Sequence, residues 1–340
     1  MNIGICGIGF MGMIHYLSYR KVRGAKVKAI CEKIPERLQG DWRNIKGNFG
    51  PQGEITDLKG VATYDDLDKM LADPNLEMID VCLAPGLHAE AVLKVLKAGK
   101  HCFCEKPIAL KPSDAVKMVQ TAQKAGKMLF IGHVLPFYAE YQFARDAVRS
   151  GRFGKLLGGH FNRIISDPVW LQNFYSMETC GGPMLDLHIH DVHFIRCLFG
   201  MPQWVQSTGR LRGDVPEFFS TQYLYEDTDL VVTSTSGTIP QQGRPFTHGY
   251  EIHFEKATLL FDSFMGRPLT VLTHNGKVEP AKIKALDDTG PFVNELTETV
   301  KAVQSGTPSP LLDGELARDA LSLCYKEIDA IRKRKPVKAA

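Results

Sequence analysis

Over the first 130 residues, short apolar runs alternate with segments whose apolar residues recur at helical spacing, which predicts strands and helices in turn. The strands read as Ile3 to Cys6, Val27 to Cys31, Ile79 to Leu83, His101 to Cys104 and Met128 to Ile131, with helices near 11 to 21, 65 to 72, 88 to 98 and 112 to 125. Strands this uniformly apolar are buried on both faces, as in a parallel sheet whose crossovers are helices. Asp41 to Lys59, rich in glycine and polar residues, reads as an irregular insertion after the second strand.

Beyond residue 130 the pattern changes. A helix (Glu140 to Arg149), a strand (Leu156 to Ile165) and an apolar helix (His190 to Phe199) precede a series of alternating runs: Val205 to Leu211, Phe218 to Tyr225, Leu230 to Ser236, Tyr250 to Phe254, Thr258 to Asp262 and Leu269 to Thr273. Period-two alternation of this kind predicts a mainly antiparallel open sheet with one exposed face. Helical periodicity returns at about 313 to 333 and ends in the basic run Arg332 to Lys335, whose charge suits a helix C-terminus and is assigned no further role. The expected fold class is α/β: a doubly wound parallel sheet over residues 1–130, then a second, α+β domain with a large, mainly antiparallel open sheet over 131–340.

The 340 residues, 44% hydrophobic and 23% charged, suffice for two such cores. A net charge of +3 over that length gives no broad field for nucleic acid or a membrane surface, which leaves a small molecule as the expected partner. Eight cysteines without a CxxC pair point to reduced thiols and a cytoplasmic location. The sequence also shows neither a leader pattern nor an apolar run of about 18 residues, so export and membrane spanning are not expected.

Gly7-Ile8-Gly9-Phe10-Met11-Gly12 follows the first strand and opens the first helix. The first glycine permits the turn, the second lets backbone approach a pyrophosphate, and the third allows helix and strand to pack closely. Glu32, at the end of the second strand, is placed to accept hydrogen bonds from the adenosine ribose and to repel a 2′-phosphate, so NAD is expected over NADP; Lys33 beside it keeps NADP in view. The first domain is therefore expected to be a Rossmann domain.

Ligands of open α/β sheets bind beyond the carboxyl ends of the strands, where Glu105-Lys106-Pro107 follows the strand His101 to Cys104. A second cluster runs from Gly181-Gly182 through Asp186, His188, His190, Asp191 and His193. Hydride transfer from an alcohol carbon requires the hydroxyl proton to leave: a histidine can accept it, an ammonium can hold the oxygen, and a carboxylate can orient either partner. Lys106, Asp186 and His190 supply one of each. His188 and His190 would share a face of an extended segment and so raise a metal site, but no third ligand set with convincing spacing accompanies them, and no metal is expected.

These motifs together resemble the glucose-fructose oxidoreductase and inositol dehydrogenase family, called Gfo/Idh/MocA. The resemblance rests on the glycine fingerprint, Cys31-Glu32, Ala98-Gly99-Lys100-His101 leading to Glu105-Lys106-Pro107, Gly181-Gly182 before Asp186 and His190, and Asp313-Gly314. It implies that Lys106 contacts substrate and nicotinamide ribose, that Asp186 binds substrate hydroxyls or supports the base, and that His190 accepts the proton. It also implies cofactor contacts from Ala84, Pro85, His88 and Glu105, and makes His160, Arg163 and Trp170 candidates for the substrate pocket. Three departures stand out. His188 occupies a position that is often glycine, the turn Ala84-Pro85-Gly86-Leu87-His88 replaces Thr-Pro before a histidine, and Pro136-Phe137 replaces Arg-Phe.

The implied activity is an NAD-dependent dehydrogenase acting on a CH–OH group of a sugar, glycoside or polyol, assembled as a homodimer or homotetramer. The alternatives are a redox-neutral glycoside hydrolase or lyase with tightly held NAD, and a non-enzymatic regulator that senses NAD and sugar.

Overall fold

Strand β1 (Asn2–Cys6) runs into the Gly7 turn, and α1 (Phe10–Tyr19) leads to β2 (Lys26–Cys31), α2 (Pro35–Leu38) and β3 (Ala62–Tyr64). The computed structural model describes residues 1–47 and 49–339. The chain continues through α3 (Leu67–Leu71), β4 (Met78–Val81), α4 (His88–Lys97), β5 (His101–Glu105), α5 (Pro112–Ala125) and β6 (Leu129–Gly132). These six strands form a parallel sheet in the order β3-β2-β1-β4-β5-β6. The order reverses between β1 and β4, the switch point at which doubly wound sheets bind dinucleotides. Strand β3 has no counterpart in the hydrophobic pattern because its three residues, Ala-Thr-Tyr, lie on the sheet edge with little burial.

The insertion from Asp41 to Lys59 is irregular, as expected, yet anchored. Trp42 is fully buried, its indole N–H donates to the Arg37 carbonyl at 3.0 Å, and its ring stands edge-on to Tyr16.

The second sheet follows α6 (Ala139–Ser150). Its strands are β7 (Leu156–Ser166), β8 (Trp204–Arg212), β9 (Val215–Leu224), β10 (Val231–Ile239), β11 (Thr247–Phe254), β12 (Ala257–Asp262), β13 (Thr270–Thr273), β14 (Val278–Pro280) and the short β15 (Val337–Lys338). The order is β14-β13-β12-β11-β7-β10-β9-β8-β15, antiparallel except where β10 lies parallel to β7. Between β7 and β8 lie a π-helical segment (Pro183–His188) and α7 (Ile189–Phe199), which packs on the face of β7 carrying Phe161. The carboxyl-terminal helices are α8 (Gly290–Ser305) and α9 (Gly314–Lys333).

Two compact units result, one of Met1–Phe137 with Leu286–Arg318, the other of Tyr138–Ala285 with the chain from Asp319 onward. Where the sequence pattern suggested one domain over 131–340, residues 286–318 instead return to the first unit. Helix α8 places Phe292, Leu296 and Val300 in the core around Ile3, Ile5 and Phe103, and Leu312 joins it. The pattern reading missed this helix, although those three residues already stood at four-residue spacing. Among the described residues no helix is long and apolar enough to cross a membrane.

Candidate functional site

The turn after β1 is built by close approach. Gly7 has φ +92°, and a Cβ there would stand 2.6 Å from the Cys82 carbonyl oxygen; a Cβ on Gly12 would fall 1.9 Å from the carbonyl oxygen of Gly7. At Gly9 a Cβ would meet nothing described within 4 Å, and among the described residues no side chain caps α1 at that residue. The free amides of a helix N-terminus therefore open onto space beside a glycine, which fits a pyrophosphate. The Glu32 carboxylate is nearby, accepting from the backbone N–H groups of Ile8 (2.8 Å), Lys33 (2.7 Å) and Ile34 (3.2 Å), with Arg37 at 3.6 Å. It thereby ties the end of β2 to the glycine turn. Lys33 extends outward, its side chain 78% exposed.

At the carboxyl end of β5, Lys106 is half-buried and joined to Pro107 by a cis peptide bond. Beneath it lies a buried charged group. His15 of α1 places Nδ1 2.9 Å from Asp80 and Nε2 3.1 Å from Glu105. Burial opposes charge on His15, but Asp80 and Cys82 together outweigh it and hold the imidazole pKa well above its usual value. Cys82 Sγ lies 3.3 Å from both His15 and Asp80; the three side chains are close enough to hold a metal ion, but direct hydrogen bonds already join them. Glu295 of α8 is fully buried, its carboxyl held well above the usual range by burial and by the neighbouring Glu105 charge. His88 is also fully buried, its two ring nitrogens 2.8 Å from the Pro107 carbonyl and 2.9 Å from that of Leu83; burial lowers its pKa. It links the turns after β4 and β5.

In the second unit the polar cluster sits in a segment that is otherwise hidden. Among the described residues from 181 to 195, all are buried except Asp186 and His190. The polar neighbours point inward and are paired. Asp191 receives Arg163 Nε at 2.6 Å and Nη2 at 3.0 Å, and His188 meets Ser236 and Glu327 at 2.8 Å each.

Two family models match the chain: "Oxidoreductase family, NAD-binding Rossmann fold" over residues 1–133 and "GFO/IDH/MocA C-terminal domain" over residues 141–260. The chain belongs to the Gfo/Idh/MocA oxidoreductase family. A Gfo/Idh/MocA relative, the myo-inositol 2-dehydrogenase of Thermotoga maritima, is 27% identical over 99% of this chain and 98% of its own length. The 2,7-anhydro-N-acetylneuraminate hydratase of Escherichia coli (strain K12) is 27% identical over 62% of this chain and 52% of its own length. Levoglucosan dehydrogenase, solved with NADH and levoglucosan, shares the fold with a TM-score of 0.86 at 18% identity, over 100% of this chain and 99% of that one.

Within this Gfo/Idh/MocA chain several residues stand differently from what the motifs implied. Arg163 is 4% exposed and held by Asp191, so it supports the helix rather than offering donors to a substrate. His160 alternates with Phe161 and Arg163 along β7, which puts it on the sheet face opposite α7, where its Nδ1 meets Thr233 Oγ1 at 2.9 Å. Trp170 is 65% exposed on a turn after β7. His88 holds backbone instead of facing outward, and His188 pairs with Glu327. Ala84 is exposed and Pro85 half-buried in a short turn after β4. Phe10 lies edge-on to Phe49.

His15, Asp80 and Glu327 were not singled out in the sequence. The available signal was a charged residue inside an otherwise apolar run, as with Asp80 between Ile79 and Val81.

Replacing Arg163 by Ala leaves the Asp191 carboxylate buried without its counter-charge. This should cost about 3–5 kcal/mol in urea denaturation; a loss below roughly 1 kcal/mol would contradict the pairing.

Proposed function

We propose that the chain oxidises a secondary hydroxyl of a sugar, glycoside or polyol, with Lys106, Asp186 and His190 acting at the reacting carbon. The observation that carries this reading is the exposure pattern of residues 181–195, in which a carboxylate and a histidine four residues apart, Asp186 and His190, are the two that are not buried. His190 takes the hydroxyl proton, Asp186 orients substrate or imidazole, and the Lys106 ammonium stabilises the oxygen as its charge develops. NAD, when bound, accepts the hydride.

Gly7, Gly9 and Gly12 with the amides of Phe10 and Met11 hold its pyrophosphate, and Glu32 holds the adenosine ribose. Ala84, Pro85 and Glu105 flank the nicotinamide end with Lys106. The inositol dehydrogenase relative and the NAD-binding family description support this choice of substrate class and cofactor.

A redox-neutral elimination or hydration through a transient ketone is the second reading, favoured by the hydratase relative. We place the protein in the cytoplasm, where eight cysteines outside any disulfide suit a reducing medium. Association as a homodimer or homotetramer would cover Val231 and Leu260, which lie on the same outer sheet face as His160 and are 60% and 40% exposed.

Mixing the protein with NAD and a panel of sugars and inositols should give NADH absorbance. Lys106→Ala should lower the rate roughly 100- to 1,000-fold, and full turnover in that variant would refute the assignment. NAD that survives purification, with substrate consumed and no net NADH, would favour the second reading. Glu32→Gln should narrow the NAD-over-NADP affinity ratio about tenfold, measured by equilibrium titration with each cofactor; an unchanged ratio would remove Glu32 from that role.

A further inference from the structure

We infer that His188 and Glu327 are a positioning pair that fixes the direction in which Asp186 and His190 leave the buried segment, an inference that rests on the catalytic reading of those two residues. His188 ends the π-helical turn and is fully buried. Its Nε2 donates to Glu327 Oε2 at 2.8 Å, and its Nδ1 accepts from Ser236 Oγ at 2.8 Å, the tautomer that these two partners select.

Glu327, on α9 and 139 residues away in sequence, also accepts from Thr221 Oγ1 at 2.8 Å and from Tyr223 OH at 3.0 Å. The carboxylate thus gathers donors from the π-helical turn and from β9, and Ser236 adds β10. Ser236, Thr221, Tyr223 and Glu327 are all at most 2% exposed.

An apolar side chain at 188 would fill the same space without direction. Buried charge is costly to desolvate, and what directional hydrogen bonds add is a single rotation of the segment about its axis. Asp191 meets Arg163 three residues later, so His190 is flanked on both sides by fixed side chains. The segment cannot turn to hide His190 without breaking one of the two pairs. His188 and Glu327 act through this geometry and touch no reacting atom.

The test uses the full-length protein. His188→Ala should lower kcat roughly 10- to 100-fold, the scale of a misaligned reacting group, while the dissociation constant for NAD stays within about twofold. His188→Gln, whose amide can donate to Glu327, should recover part of the loss. Unchanged kcat in a folded His188→Ala protein overturns the proposal. So does a loss of thermal stability alone, with kcat per folded molecule intact.

If His188→Ala does not fold, Ser236→Ala removes only the Nδ1 partner. The histidine-ring NMR signals of His190 should then shift relative to the parent protein, and unchanged signals overturn the proposal. That spectral readout needs no turnover. Shifted His190 signals in a protein that oxidises no polyol would uphold the positioning and reject the dehydrogenase reading.

Discussion

A charge withdrawn from water must find its counter-charge, and in this protein that constraint decides which polar residues are committed to the structure. Desolvating an ion costs several kcal/mol, and leaving one partner unpaired costs about 3–5 kcal/mol. In the first unit Glu105 is held by His15, which is held in turn by Asp80; the next residue in the chain is Lys106. In the second, His188 is held by Glu327 and Asp191 by Arg163, with His190 between them. Lys106 and His190, two of the three proposed reactive side chains, are thus each the sequence neighbour of a residue fixed by a buried pair.

Much of the architecture was legible in the chain because its signals are local. Apolar runs bounded by turns gave five of the parallel strands, and Gly7, Gly9 and Gly12 could be assigned roles from spacing alone. The structure supplies the steric reasons, most plainly the carbonyl of Gly7 lying where a Cβ on Gly12 would be. What escaped was either too short or too distant. Strand β3 offers three residues with no apolar run, and α8 belongs to the first unit although residues 138–285 of the other unit intervene.

The polar cluster around His190 was visible, but not its sorting. Sequence cannot tell that His188 is fully buried against Glu327 and His190 only half-buried when the partner lies 139 residues away. The inward positions of β10 carry Ser234, Ser236 and Thr238, residues that a hydropathy pattern reads as outward. Ser236 and Ser234 belong to the His188 network, through His188 itself and through Tyr223, while Thr238 bonds Tyr175. Arg163 misled for the same reason, since an arginine on a strand near a candidate pocket resembles a substrate ligand until Asp191 is seen beside it.

The chain is an NAD-binding oxidoreductase of the Gfo/Idh/MocA family, and in the proposed function His190, on a helix clamped by two buried pairs, takes a substrate proton. The most direct measurement of that account is deuterium transfer from the carbinol carbon. A polyol that supports turnover is labelled at the oxidised carbon, and the cofactor is analysed by mass spectrometry after a single turnover. The account predicts that the label appears on the nicotinamide ring of NADH. Label released to water, or kept on the product and never found in the cofactor, would contradict it.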